Sequence, residues 1–376
     1  MTQLFDKTWI NSIELGNRAI RSATWTGSCD AQGFVTDVTI DFYNRLAQGG
    51  MGLIITGYQY ILPNSIQLPY MLGNYDDSQI QGLKKLADIV HTAGTKIVGQ
   101  IVHTGLRANP KLFTQEGAIW APSEVSDPTV KHQVKVVAKS EILDLVQAYA
   151  NAARRLKEAG FDGVQLHGAH GYGINQFLSP YWNKRGDNYG GSLANRYRFL
   201  AETLEAVREA TGTDMAVMIK LNSCDFVENG LDLDETLQIA TRLADDGIDA
   251  IEISGGSASS GKNKGPVRTK ILEEQDEAYF SDMAAQFKEK VKVPIIAVGG
   301  FRSLKKIDEV LDGNKADYIA MSRPFIREPS LIKRWLDEDL SKATCISCNG
   351  CFETGLKGLG ISCKMDREEK GDNGSN

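Results

Sequence analysis

The sequence predicts an α/β fold, a (β/α)8 or TIM barrel with a short cysteine-rich extension at its C-terminal end. Eight short apolar segments alternate with eight amphipathic ones, and polar residues follow the apolar segments. The chain has 376 residues, enough for a barrel of about 250 residues with insertions. An open doubly wound sheet is the alternative, but no G-x-G-x-x-G opens an early helix as a dinucleotide site requires.

The strand candidates are apolar segments of four to six residues. They are Ala19–Thr24, Leu53–Gly57, Ile97–Val102, Gly163–His167, Val217–Leu221, Ala250–Ser254, Pro294–Val298 and Tyr318–Met321. The segments between them repeat apolar residues at helical spacing. These helix candidates are Thr39–Gln48, Ile80–Ala93, Glu141–Ala159, Ala194–Ala210, Asp234–Asp245, Glu277–Lys290, Leu304–Leu311 and Pro329–Glu338. The alternation predicts parallel strands covered on the outside by helices.

Composition excludes several classes of function. The formal net charge of −6 leaves no basic stripe for nucleic acid, so we expect no nucleic-acid partner. The N-terminus lacks the apolar region of a signal peptide, and no stretch is apolar for eighteen residues. We therefore expect a soluble, cytoplasmic protein without a membrane partner. Six cysteines fit a reducing compartment.

The chain divides into three expected parts: a barrel over residues 1–340, a cysteine-rich segment over 341–365 and a charged, disordered tail over 366–376. Two insertions are expected to shape specificity. Thr104–Ser140 predicts a hairpin lid, and Gly255–Lys270 predicts a mobile loop over the barrel mouth. The basic residues Lys262, Lys264 and Arg268 of that loop either attract an anionic substrate or form a solvated charge run.

The stretch HGAHGYGINQFLSPYWNKRGDNYGGSLANR, residues 167–196, follows the fourth strand candidate. It presents two imidazoles, His167 and His170, and the phenol of Tyr172. Glycines between them let the backbone turn sharply, so we expect the three polar tips to converge on a ligand. Two neutral donors beside a phenolic acid suit a substrate that gains negative charge on oxygen and then takes up a proton. The alternative is that these histidines are hydrogen-bonded structural residues.

The later part of this stretch has a structural interpretation. There Asn195 is expected to cap the next helix, and Arg185 is expected to pair with Asp187.

The ends of the seventh and eighth strands carry Gly299–Gly300 and Arg323, at the place where barrels commonly bind a phosphate. Exposed glycine N–H groups and a bidentate guanidinium suit that anion, and a plain glycine turn with a surface arginine is the alternative.

Four cysteines fall within nineteen residues as C-x2-C-x2-C-x11-C. They are Cys345, Cys348, Cys351 and Cys363. Thiolates at this spacing suit an iron–sulfur cluster, whereas zinc more often uses two separated C-x2-C pairs. Disulfides and a set of reduced thiols are the alternatives.

The stretch 167–196 resembles the active-site region of the Old Yellow Enzyme family of FMN-dependent ene-reductases. The resemblance covers about residues 1–365 and implies that FMN lies across the barrel mouth. It implies FMN contacts from one set of residues: Ser22, Ala23, Thr24, Gly57, Gln100, Lys220, Gly299, Gly300, Ser322 and Arg323. It places Lys220 near the N1–C2=O region of the flavin and Trp25 close to the ring, although Lys220 has the alternative of pairing with an acid such as Asp225.

The resemblance also implies the reaction. Hydride passes from N5 of reduced FMN to an activated alkene, such as an α,β-unsaturated carbonyl, carboxylate or thioester. His167 and His170 bind the oxygen that becomes negative, and Tyr172 donates the proton. The small-molecule substrate is thus an alkene, and NADH or NADPH is the reductant.

The cysteine block is similar to the [4Fe–4S] segment of the 2,4-dienoyl-CoA reductase and trimethylamine dehydrogenase branch. Those enzymes continue into nucleotide-binding domains, which we do not expect in this protein. Either a nicotinamide reduces the FMN directly, or a separate electron-transfer partner supplies electrons. Two other functions remain open, namely an amine dehydrogenase of the trimethylamine type and a flavin and iron–sulfur electron-transfer subunit. Such barrels often associate, so a homo-oligomer is also open.

Overall fold

The computed structural model describes residues 2–113, 115–124, 126–369 and 371. Its strands, in chain order, are β1 (Thr8–Ile10), β2 (Ile13–Leu15), β3 (Ala19–Arg21), β4 (Leu53–Ile55), β5 (Gln59–Tyr60), β6 (Lys96–Val102), β7 (Trp120–Ala121), β8 (Lys135–Val136), β9 (Gly163–Gly168), β10 (Ala216–Asn222), β11 (Ala250–Ser254), β12 (Ile295–Val298) and β13 (Tyr318–Met321). Each predicted barrel strand is present, with ends that differ by up to three residues.

Eight of these strands form a closed parallel barrel. The spatial order is β4-β3-β13-β12-β11-β10-β9-β6, and β4 also pairs with β6, which closes the ring. The closing pair has Leu53 opposite Lys96 and Ile55 opposite Val98. The predicted (β/α)8 barrel is therefore confirmed, and the C-terminal ends of all eight strands lie at one rim.

Helices occupy all eight predicted segments, and the described residues form three further short α-helices. Together they are α1 (Asp37–Ala47), α2 (Ile80–Thr92), α3 (Lys139–Glu158), α4 (Gly173–Leu178), α5 (Leu193–Thr211), α6 (Leu233–Asp245), α7 (Ser281–Lys290), α8 (Leu304–Asp312), α9 (Arg323–Arg327), α10 (Leu331–Leu336) and α11 (Lys364–Glu369). Of these, α4, α9 and α11 were not predicted. Polar N-caps start several of them, as the Asp232 side chain does for α6 by accepting from the N–H of Glu235. The cap of α5 is Ser192 and not Asn195, whose side chain instead donates to the Gly190 carbonyl.

The N-terminal end of the barrel is closed by a feature that the sequence analysis missed. Strands β1 and β2 form an antiparallel hairpin with Ile10 opposite Ile13. Side chains of this hairpin, including Ile10, Ile13 and Leu15, pack with the inward-facing Ile20 and Met218 of the barrel strands. A larger apolar cluster lies between the strands and the helices. The hairpin thus completes the apolar lower half of the barrel interior.

The insertion after β6 differs from its prediction. Its two short strands, β7 and β8, pair in parallel, with Trp120 opposite Lys135, so they do not form a hairpin. The prediction of a hairpin lid was wrong because a long connection separates the two strands, and Thr114 and Val125 within the insertion lie outside the described residues. The predicted pair of Arg185 and Asp187 is confirmed, with Nη2–Oδ2 at 2.7 Å.

The beginning of the C-terminal tail is helical. The first four residues of the expected disordered tail, 366–369, belong to α11, while Lys370 and residues 372–376 lie outside the described residues. Arg327 of α9 holds α11 through Asp366, with Nε–Oδ1 at 2.9 Å.

Within the described ranges, no helix has both the length and the apolar character needed to cross a bilayer.

The N-terminal hairpin of β1 and β2 yields a stability prediction. Ile10 is completely buried, so Ile10→Ala should lower the free energy of unfolding by about 2–5 kcal/mol through lost burial and a cavity. The neighbouring Trp9 is 54% exposed, and Trp9→Ala serves as the control with a much smaller expected change. Thermal or urea unfolding of the two variants measures the difference. Equal effects would show that the hairpin does not complete the core.

Candidate active site

A cavity of about 610 Å³ opens at the C-terminal ends of the barrel strands. This volume suits a cofactor-sized ligand. The predicted site residues that line it are Ser22, Ala23, Thr24, Gln100, His167, His170, Tyr172, Lys220, Gly299, Gly300, Ser322 and Arg323. Gly57 differs, because it is buried against the backbone of Thr24, where an added Cβ would lie 2.7 Å from the Thr24 carbonyl oxygen. The described lining thus contains nearly the whole predicted set, but not Gly57.

The two histidines and the tyrosine do converge at this cavity. The ring centroids of His167 and His170 are 4.9 Å apart, and those of His167 and Tyr172 are 4.7 Å apart. The Nε2 atom of His170 lies 2.7 Å from Oγ of Ser254, at the end of β11. The two imidazoles and the phenol therefore present polar atoms to the same space.

An unusual backbone conformation positions His170. Its φ is +65°, in the left-handed region, and the following Gly171 has φ +75°. Hydrogen bonds hold this turn: the N–H of His170 donates to Oδ1 of Asn222 at 3.2 Å, and the N–H of Gly171 donates to Oδ1 of Asn175 at 2.7 Å. The sequence analysis expected glycines alone to make the turn, whereas buried asparagine side chains also support it.

Burial decides the protonation of the site. Burial lowers the pKa of His167 well below its ordinary value, and the proximity of the His170 imidazole and of the Lys220 ammonium lowers it further. The pKa of His170 is also well below the ordinary value, through burial and the charge of Lys220. Burial raises the pKa of Tyr172, although its hydrogen bonds to Tyr58 and Gln67 oppose that change. The site therefore holds two neutral imidazoles and a protonated phenol at neutral pH.

The phenol of Tyr172 is oriented by a residue that the sequence analysis missed. Its hydroxyl donates to Oε1 of Gln67 at 2.6 Å, and the hydroxyl of Tyr58 donates to the same oxygen at 3.0 Å. Arg107 from the insertion also lines the cavity, and its Nη2 lies 3.2 Å from Oδ2 of the buried Asp127. No sequence pattern marks Gln67, because its contact with Tyr172 joins segments that are far apart in the chain and come together only in the folded protein.

Lys220 has a partner other than the one considered. Its Nζ lies 3.0 Å from Oε1 of Glu252 on the adjacent strand β11 and 2.9 Å from Oγ of Ser22. Asp225, the alternative partner, instead accepts hydrogen bonds from Asn175 and Asn222. The alternative that Lys220 pairs with a nearby acid is confirmed, but the acid is Glu252; Asp225 was the wrong example because its side chain supports the turn at His170. Glu252 could have been noticed as a charged residue inside the apolar strand AIEIS.

A cationic region surrounds Gly299 and Gly300. Arg323 donates to the carbonyl of Arg268 at 2.8 Å and to Oδ1 of Asn349 at 2.7 Å. Arg302 donates to backbone carbonyls, including that of Ala343 at 2.9 Å. An added Cβ on Gly300 would lie 2.8 Å from the ring of Tyr279, so glycine is needed there.

The charges of the cavity suit an anionic cofactor. Its described lining includes the cations Arg107, Lys220, Arg302 and Arg323 but no carboxylate. The hydrogen bonds of the Arg302 and Arg323 guanidinium groups go to neutral acceptors, so their charges can attract a phosphate. The cavity volume, these arginines and the glycine turn fit FMN.

The cysteine-rich segment packs against the rim of the cavity. Phe352 lies 6.2 Å from Trp25 between ring centroids, and both residues line the cavity. An added Cβ on Gly355 would lie 2.9 Å from the Trp25 ring. Trp25 donates from Nε1 to the Pro69 carbonyl at 2.9 Å, so its indole is fixed between the cavity and this segment.

The four cysteines are free thiols. Burial raises the pKa of Cys351 to about 11, and the charges of Cys345 and Cys348 also raise it. The N–H of Ser362 donates to the Cys351 carbonyl at 3.2 Å, which brings the neighbouring Cys363 to the same region. In the part of the chain that the structure describes, no three His, Cys, Asp or Glu side chains are arranged to hold a metal ion. The predicted metal site is therefore not confirmed.

Known proteins share this architecture. Residues 3–341 match the NADH:flavin oxidoreductase / NADH oxidase family. This chain belongs to that family. A curated relative, the 4,4'-dithiodibutanoate disulfide reductase of Rhodococcus erythropolis, is 30% identical over 378 residues, which cover 93% of this chain and 92% of that protein. The chain is thus an oxidoreductase of a flavin-dependent family that uses NADH or NADPH.

Solved structures agree with this assignment. An old yellow enzyme homologue from Zymomonas mobilis has a TM-score of 0.78 at 25% identity, over 95% of this chain and 99% of that one, which confirms the Old Yellow Enzyme resemblance. A 2-naphthoyl-CoA reductase complex has a TM-score of 0.88 at 29% identity, over 96% of this chain and 56% of that chain. This chain therefore spans little more than half of the latter.

The buried histidine yields a pH prediction. Because the folded-state pKa of His167 is lowered, the unfolded chain binds more protons below about pH 6.5, so stability falls as the pH falls through that value. The slope from this imidazole is at most about 1.4 kcal/mol per pH unit. Thermal unfolding between pH 7.5 and 5.5 should show a shallower loss in His167→Gln. The exposed His132 provides the control, since His132→Gln should keep the wild-type slope; an unchanged slope in His167→Gln would contradict the assignment.

Proposed function

We propose that this protein is an FMN-dependent ene-reductase that uses NADH or NADPH to reduce an activated alkene. The observation that carries the proposal is the convergence of His167, His170 and Tyr172 on a cavity whose other wall suits FMN. Membership of the family supports the flavin and nicotinamide chemistry. The substrate class is an α,β-unsaturated carbonyl, carboxylate or thioester.

Specific residues would hold FMN. Gly299, Gly300 and Ser322 would bind its phosphate, with Arg323 and Arg302 supplying positive charge. Ser22, Ala23 and Thr24 would contact the ring system, with Gln100 and Lys220 at its pyrimidine side. Gly57 supports this wall from behind, because it packs against Thr24. When bound, FMN supplies hydride chemistry that no side chain can perform.

The chain's own groups then bind and protonate the substrate. His167 and His170 are neutral, so each can donate one N–H to the oxygen that becomes negative without a competing proton transfer. The phenol of Tyr172 is 4.7 Å from His167 between ring centroids and remains protonated, so it can donate to the α-carbon of the substrate. Its hydrogen bond to Gln67 holds the phenol beside the substrate space, and the O–H turns from Gln67 to the substrate when it donates the proton.

The two alternative functions fit these residues less well. An amine dehydrogenase of the trimethylamine type must accept an alkylammonium, which aromatic faces attract and nearby cations repel. Here no carboxylate is in the described lining of the cavity, and the lining cations Arg302 and Arg323 donate only to neutral acceptors, so their charges are not balanced. A pure electron-transfer subunit has no need of a buried phenol poised as a proton donor.

Replacement of the proton donor tests the reaction. Tyr172→Phe should lower alkene turnover by about 10²-fold or more while reduction of the flavin by NADH or NADPH continues, because only the proton is lost. Stopped-flow reduction and steady-state turnover with 2-cyclohexenone measure the two steps. Tyr58→Phe is the matched control, since that phenol shares the partner Gln67 and is expected to keep turnover near wild type. Full turnover in Tyr172→Phe would exclude this tyrosine as the donor, whereas wild-type protein whose flavin is reduced but which turns over no alkene would favour an electron carrier.

The cysteine-rich segment carries a separate proposal. Its spacing supports a [4Fe–4S] cluster held by Cys345, Cys348, Cys351 and Cys363. The contact between Ser362 and Cys351 supports their proximity, although the side chains would have to move to become ligands. No step of the reaction above depends on this cluster. A separate electron-transfer partner would dock at this segment, where it could pass electrons to the cluster.

Metal analysis tests the cluster. Protein purified without oxygen should contain about four iron and four sulfide per chain, and Cys351→Ser should lose both because a ligand is missing. Cys29 lies outside the block and is buried, so Cys29→Ser should keep the iron. Wild-type protein with flavin but no iron would reject the cluster and leave a simple nicotinamide-driven reductase.

A further inference from the structure

A continuous chain of buried hydrogen bonds runs beneath the cavity from β6 through β9 to β11, passing the intervening strand β10. Gln100 on β6 donates from Nε2 to Oε1 of Gln165 on β9 at 2.6 Å. Gln165 donates from Nε2 to Oε2 of Glu252 on β11 at 2.9 Å. Glu252 is fully buried and does not line the cavity, whereas Gln100 and Lys220 do. The carboxylate therefore reaches the cavity only through its neighbours.

The chemistry of the carboxylate sets the direction of this chain. An ionised carboxylate only accepts hydrogen bonds, so Gln165 must turn its amide NH2 towards Glu252 and its carbonyl oxygen towards Gln100. Gln100 must in turn point its NH2 at that oxygen. Its own Oε1 has no hydrogen-bond partner among the described residues and remains available to a ligand. Glu252 thus fixes which end of the Gln100 amide accepts from a ligand donor.

The carboxylate of Glu252 also balances the positive charge of Lys220, which lines the cavity proposed to hold FMN. Its Oε1 lies 3.0 Å from Nζ of Lys220 and accepts from Oγ of Ser22 at 2.6 Å. The lysine side chain is 5% exposed and the glutamate 0%, so solvent screens the pair little. A second buried cation, Arg21, also interacts with the charge of Glu252 and donates to Oγ1 of Thr24 at 2.9 Å. Without the carboxylate, the wall would carry unbalanced positive charge.

We infer that Glu252 is a positioning residue that lowers the reduction potential of the bound flavin and orients Gln100 for flavin binding. This inference rests on the proposed FMN site. Reduction adds negative charge to the pyrimidine side of FMN, which a lone Lys220 would stabilise and a neutralised Lys220 stabilises less. The pair therefore keeps the flavin a stronger reductant than the lysine alone would allow.

A double-mutant cycle tests the charge balance. The midpoint potential of the bound FMN is measured by dye equilibration in wild type, Glu252→Gln, Lys220→Gln and the double variant. Glu252→Gln should shift the reduction equilibrium about tenfold towards reduced FMN, which equals about 30 mV for a two-electron couple. Lys220→Gln should shift it in the opposite direction, and the double variant should lie between the two single variants, near wild type. These substitutions nearly preserve size, so a packing role alone would not give opposite signs.

Binding of FMN to the apoprotein tests the orientation of Gln100. Gln165→Leu interrupts the chain while leaving Glu252 paired with Lys220, so the FMN dissociation constant should rise about tenfold with little change in potential. Asp317→Asn is the control for both measurements. It removes a carboxylate paired with Lys288 at 2.7 Å, just before β13 at the opposite end of the barrel, and should leave both values unchanged.

The outcomes separate this inference from the proposed function. The inference would be overturned if the midpoint potential of FMN in Glu252→Gln equals that in wild type, or if the potential in the double variant equals that in Lys220→Gln. Either result would stand even if the wild type binds FMN and reduces alkenes. If Glu252→Gln does not fold, the comparison of Lys220→Gln with the double variant still decides, because Glu252 matters only if those two differ. Wild-type protein without bound flavin would instead reject the proposed function itself.

Discussion

Closure of eight parallel strands into one barrel is the constraint on which the rest of the structure depends. Each strand satisfies its backbone groups on both neighbours, and the pairing of β4 with β6 leaves no open edge in the ring. Since all eight strands run the same way, their C-terminal ends meet at one rim. Residues that are far apart in the chain, such as Ser22, His167 and Arg323, thereby line one cavity.

The barrel interior divides into an apolar lower half and a polar upper half. On β10, Ala216 and Met218 join the inner apolar cluster, and Lys220 and Asn222 continue the same alternating face towards the rim. The N-terminal hairpin seals the apolar half, so the buried charges of the upper half are far from solvent at that end. Low dielectric surroundings keep the imidazoles neutral and make the pair of Lys220 and Glu252 matter electrostatically.

The cysteine-rich segment is part of the cavity wall and not a separate appendage. Ser347, Phe352 and Leu356 line the cavity, and Asn349 accepts from Arg323. Any change in this segment, whether ligation of a metal or oxidation of a thiol, is therefore connected to the wall expected to hold the flavin phosphate. Trp25 packs against the segment, with its ring centroid 6.2 Å from that of Phe352, and also lines the cavity.

The sequence by itself determined the barrel, the limits of its strands to within three residues and the group of His167, His170 and Tyr172. These features are local, because apolar periodicity and strand-end residues are read within a short window. Only the tertiary structure decided the partner of Lys220, the link from Gln67 to Tyr172, the parallel pairing of β7 with β8 and the position of Gly57 behind the wall. Each of these depends on contacts between distant segments. Lys220 pairs with Glu252 because the register of β10 with β11 sets these two residues side by side, whereas Asp225 lies in the loop after β10.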